Sequence, residues 1–74
     1  MHNIKKFVVY EWSNDSEGGY GVCQKEQYSS EWNSTTCIGE FNTKEELLDI
    51  LIKVEYTKED AMWWVNILSQ NISL

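Results

Sequence analysis

Residues 43–60 run Thr-Lys-Glu-Glu-Leu-Leu-Asp-Ile-Leu-Ile-Lys-Val-Glu-Tyr-Thr-Lys-Glu-Asp, and they contain one helix-start signal twice. Thr43 to Glu46 is a capping box: the threonine oxygen can accept from the third helical N–H, and the glutamate can reach back to a second orphan donor. Leu47, Ile50, Leu51 and Val54 follow at the i, i+3, i+4, i+7 spacing of one helix face. Leu48 and Ile52 widen that stripe. Glu45, Asp49 and Lys53 mark the wet side, with Asp49 and Lys53 a favourable i,i+4 pair. Thr57 to Asp60 repeats the signal with a shorter acid, and acids in a first turn suit the helix dipole. In the helix it opens, Ala61, Trp64, Val65, Leu68 and Ile72 share one face, while Trp63, Ile67 and Leu74 fall roughly opposite Ala61. A helix apolar on two sides must bury both or bind something with one. The Trp63, Ile67 and Leu74 side is therefore core or interface.

Everything before Thr43 has a different period. Residues 4–12, Ile-Lys-Lys-Phe-Val-Val-Tyr-Glu-Trp, are β-branched and aromatic and partly apolar on both faces, the mark of a strand that is central or covered twice. Ser13 to Gly19 is a polar turn ending in Gly-Gly, where positive φ comes cheaply. Residues 20–28 and 35–41 read as two further strands, joined by a loop over 29–34 that carries Trp32. Short connections imply hairpins, hence an antiparallel meander. The expected fold is α+β, β-β-β-α-α: a three-stranded antiparallel sheet with two helices packed on one face. The 74 residues form a single domain, 1–74, without linker or repeat. A core this small supports a net stability on the order of 3–5 kcal/mol.

Charge sets the function classes. Twelve acids face six lysines and no arginine, for a net charge of −6. Arginine is the usual bidentate reader of phosphate and of guanine edges. Without a basic patch, direct binding of nucleic acid or of an anionic membrane is not expected. All twelve acids lie in residues 11–60, beside four lysines. In the sheet half, Glu11, Asp15, Glu17, Glu26, Glu31 and Glu40 could form a negative surface that fits a basic groove on a partner. The alternative is ordinary solubility.

The chemistry of most enzymes is missing. A cysteine nucleophile needs a base, and the only histidine is His2. Two cysteines and one histidine do not make a zinc site, and the Asp15-Ser-Glu17 turn is too short for a calcium loop. Gly18-Gly19 lacks the Lys-Ser/Thr of a phosphate-binding loop. Glu26 and Glu40 are the one paired-carboxylate candidate, and acid–base use would require burial. No catalytic residue, metal or cofactor is expected. With no secretory signal and no long apolar run, the cytoplasm is the expected compartment, with Cys23 and Cys37 as thiols. In a meander those two could also stand opposite each other and pair.

In size, acidity, lack of arginine and lack of motifs, the whole chain resembles the small phage-encoded inhibitors, including anti-CRISPR proteins. The resemblance carries no motif, so no functional residue transfers with it. It implies a non-catalytic inhibitor, acting in the host cytoplasm, that blocks a nucleic-acid-handling complex by covering its basic channel or locking its conformation. On that reading the sheet acids steer, and Trp32 or Trp63 with Ile67 anchors. The alternatives are an antitoxin or immunity protein for a nuclease, and a homodimeric structural or adaptor protein joined through the Trp63 and Ile67 face.

Overall fold

Thr43 Oγ1 accepts the Glu46 N–H at 3.2 Å, and Thr57 Oγ1 accepts the Asp60 N–H at 3.2 Å. Each helix, α1 (Lys44–Val54) and α2 (Lys58–Asn71), thus begins with one orphan donor satisfied. The computed structural model describes residues 5–29, 31, 34–55 and 57–72. His2, Ile4, Trp32 and Leu74 lie outside the described residues, and the expectations placed on them go no further.

Three strands precede the helices: β1 (Phe7–Ser13), β2 (Gly18–Gln24) and β3 (Thr35–Phe41). They form an antiparallel sheet, and the order β-β-β-α-α is as expected. The meander is corrected. The spatial order is β2-β1-β3, with β1 in the middle. The cause is local. β2 stops at Gln24, because Lys25–Gln27 coil into a 3-10 turn, and lysine and glutamate are poor strand formers. The connection to β3 therefore runs from Lys25 to Ser34 rather than 29–34. Both edge strands are antiparallel to β1, so this segment must return from the Phe7 end of the sheet to the Trp12 end. Of its described residues, Tyr28 lies on the face away from the helices, 5.9 Å from Tyr10, and the Ser34 carbonyl accepts the Ser13 N–H at 3.1 Å. That crossing explains the two apolar faces of β1: the adjacent Val8 and Val9 are 2% and 0% exposed on opposite sides.

The helices cover the Val9 side. Val9, Phe41, Leu47, Leu51, Ala61, Val65 and Leu68 form the buried cluster, each large side chain contributing about 1.5–3 kcal/mol of transfer free energy. Gly39 lets α1 come close: a Cβ there would stand 2.7 Å from Ile50 Cδ1. The register shifts between Val9 and Tyr10, and Ile38, the extra residue opposite them, packs against the core. Val54, expected on the core stripe, is 45% exposed. It is the last residue of α1, where no following turn packs beside it. The hairpin turn is held by Asn14, whose Oδ1 accepts the N–H groups of Ser16 and Glu17, both at 2.9 Å. Among the described residues no glycine has a positive φ, so the reason expected for Gly18-Gly19 is also corrected. The room a missing side chain leaves is what these positions supply.

Candidate functional site

At the hairpin end of the sheet, Gly19 stands opposite Trp12 on β1. A Cβ on Gly19 would lie 3.0 Å from Trp64 and 3.3 Å from Trp12, so two indoles close over a residue that has no side chain. Trp64 comes from α2, whose Ala61, Val65 and Leu68 face fixes the helix on the sheet. It also meets Tyr20 edge to face, and Trp63 edge to face on its other side. Glu55, the C-cap of α1, completes the arrangement. Together with Glu11 these groups line a groove of about 410 Å³. Among the described residues no lysine lines it.

Electrostatics follow from that packing. Burial, the hydrogen bond from the Tyr20 hydroxyl to Glu55, and the charges of Glu55 and Glu11 push the Tyr20 phenol up to about 12. The phenol thus stays protonated beside the two carboxylates at neutral pH. Asp15 and Glu17 extend the acidic character into the hairpin turn. Among the described residues none of Glu11, Asp15 and Glu17 is in an ion pair, and all three are exposed.

The other residues expected to bind are placed elsewhere. Glu11 follows the helix-covered face of β1, while Glu40 stands opposite Val8 on the other face. Lys25 Nζ lies 3.0 Å from Glu40 Oε1, so that acid is already partnered. Glu26 sits in the 3-10 turn beside Lys25. Glu26 and Glu40 are both exposed and lack the burial that acid–base use would require. Glu31 is exposed, with its N–H donating to Ser29 Oγ at 3.1 Å. Trp63 is 57% exposed and Ile67 is exposed beside it, so the second face of α2 lies outside the core.

A larger groove, of about 650 Å³, lies at the opposite end among Lys5, Lys6 and Lys25. Two of those lysines are already paired, Lys5 with Glu46 and Lys25 with Glu40. Cys23 and Cys37 flank β1 on its two sides, opposite Val8 and Tyr10. Two strand spacings, roughly 9–10 Å, separate their backbones, beyond disulfide reach, and both are free. Burial first, and Cys37 second, push the Cys23 thiol up. Among the described residues no group of three or more potential ligands could hold a metal ion, and no helix is long and apolar enough to cross a membrane.

The sequence places Trp64 on the core face of its helix and gives Trp12, Tyr20 and Glu55 no binding role. A glycine pair inside a strand can signal close approach of another group, a cue that the turn reading of Gly18-Gly19 passed over. Glu55 had no local signal, because its role comes from the packing of α1 on the sheet. No protein family model matches the chain, nor does any curated protein or solved structure.

Proposed function

We propose that this domain is a non-catalytic binder that places its hairpin end against a basic surface of a partner protein. One observation carries the reading: Glu11, Asp15 and Glu17 stand exposed and unpaired among the described residues, beside a groove walled by Trp12, Tyr20 and Trp64. Unpaired carboxylates speed encounter with a positive surface, and large rings supply contact area once they meet. A partner of this kind is the basic channel of a nucleic-acid-handling complex, which an acidic body covers in competition with nucleic acid. This is the inhibitor expected from the resemblance, with an immunity protein against a nuclease resting on the same physics.

The test is capture of basic nucleic-acid-binding proteins on the immobilised domain, followed by calorimetry with the purified partner at several salt concentrations. Affinity is expected to fall as salt rises, to be lost when Glu11, Asp15 and Glu17 are all reversed to lysine, and to compete with DNA or RNA. Reversing Glu26 and Glu40, which lie among lysines at the other end, reports whether the hairpin end acts alone. A salt-independent affinity, or one that the triple reversal leaves intact, overturns the proposal.

The exposure of Trp63 favours a second reading, a homodimer through the Trp63 and Ile67 face. Sedimentation at several concentrations separates the two: a dimer that survives high salt and disappears in Trp63→Ala supports the homodimer.

A further inference from the structure

We infer that the groove at Gly19 receives an arginine side chain of the partner, with the guanidinium lying on the Trp12 and Trp64 indoles and donating to Glu55. This rests on the reading above and narrows it to one contact. Three features of the groove select a guanidinium. Its lining is aromatic, since Trp64 Cη2 and Trp12 Cζ2 stand 3.0 and 3.3 Å from where a Gly19 Cβ would be, with Tyr20 beside them. A planar cation can stack on an indole face, whereas an ammonium cannot lie flat. Its rim holds carboxylates from two different elements, Glu11 on β1 and Glu55 at the end of α1. Both carboxylates lie close enough to the Tyr20 phenol to raise its pKa, so they share one rim with the aromatic lining and can accept from a forked donor. The chain itself has no arginine and, among the described residues, lines the groove with no lysine, so the cation has to come from outside.

The test uses the whole chain labelled with nitrogen-15, titrated with N-acetyl-arginine amide, its lysine counterpart and its neutral citrulline isostere. The indole N–H signals of Trp12 and Trp64 are expected to shift saturably with the arginine compound, at roughly millimolar affinity for a single stacked group. The lysine compound should bind about threefold to tenfold more weakly, and citrulline should produce no saturable shift. Glu55→Gln should weaken the arginine response. Tyr20→Phe, which keeps the ring and removes only the hydroxyl, should weaken it less and serves if Glu55→Gln fails to fold. Equal responses to arginine and citrulline overturn the inference. So does the absence of saturable shifts at Trp12 and Trp64 while a lysine-only basic peptide still binds with salt-sensitive affinity; that result leaves the acidic-surface reading standing. Failure of both probes counts against both.

Discussion

Tyr20 and Trp64 meet at 90° with ring centroids 5.0 Å apart, and this contact fastens α2 to the outer edge of β2. Its loss should be felt across a small domain. Trp64→Ala is expected to cost about 2–4 kcal/mol, most of the roughly 3–5 kcal/mol that such a core supplies. Trp63, 57% exposed beside it, should cost less than about 1 kcal/mol on the same change. Urea denaturation of the two variants compares them directly. Equal losses would mean that α2 is seated on its other face.

Tyr20 should ionise late. Its phenol is pushed up to about 12 from an ordinary 10.0. The folded state therefore holds this proton more tightly than the unfolded state. The corresponding stability is complete below pH 10.0 and drains away as pH rises toward about 12. Phenolate absorbance should show two late tyrosines, Tyr20 and Tyr10, the second also raised chiefly by burial. Glu55→Gln should bring Tyr20 part of the way back, because burial, the leading cause, remains. Ordinary titration of every tyrosine in the wild type would contradict the Tyr20–Glu55 contact.

Glu46 governs the acid limb. Its Oε1 accepts the Asn42 N–H at 3.0 Å, and its other oxygen pairs with Lys5. The Lys5 hydrogen bond first, then that of Asn42, hold its carboxyl below the ordinary value of 4.5. The stabilisation is present above pH 4.5 and disappears as pH falls through the lowered value. Glu46→Gln should lower the melting temperature at neutral pH and flatten its fall in acid. Parallel curves for the two proteins would exclude the linkage.

Gly39 leaves room for Ile50 of α1 against the sheet. Alanine there would place Cβ 2.7 Å from Ile50 Cδ1, 3.0 Å from Cγ1 and 3.1 Å from Cγ2. Gly39→Ala should cost about 1–3 kcal/mol by overpacking. Ile50→Val, which removes Cδ1, should recover part of that in the double variant, giving a coupling of about 0.5 kcal/mol or more. Additive losses would show that the strand yields instead of the isoleucine.

The helices were legible because their signals are local. Thr43 and Thr57 each bond a residue three positions on, and the Ala61, Val65, Leu68 spacing needs no knowledge of the rest of the chain. Strand order was not. Two cues conflicted: the short loops argued for a meander, while Val8 and Val9, both apolar on successive positions, argued for a middle strand. The second cue was the physical one, since a strand buried on both sides needs cover on both sides. The candidate site was half legible. Glu11 and the acids of the turn stand out from charge alone. The Tyr20–Glu55 hydrogen bond and the indoles over Gly19 join segments far apart in sequence, and no local pattern announces them.

Placing β1 in the middle also bears on how the chain reaches its fold. Phe7 acquires Gln24 as one neighbour and Phe41 as the other, nearly half the chain away. The hairpin can zip early, yet one flank of β1 stays open until the segment through Ser34 has swung across it. Closing that long loop costs entropy before any contact repays it. The molecule should therefore fold more slowly than a hairpin-by-hairpin sheet of equal length. Until β3 arrives it exposes an unpaired strand edge rich in valine and aromatic residues, which is the interval when aggregation competes.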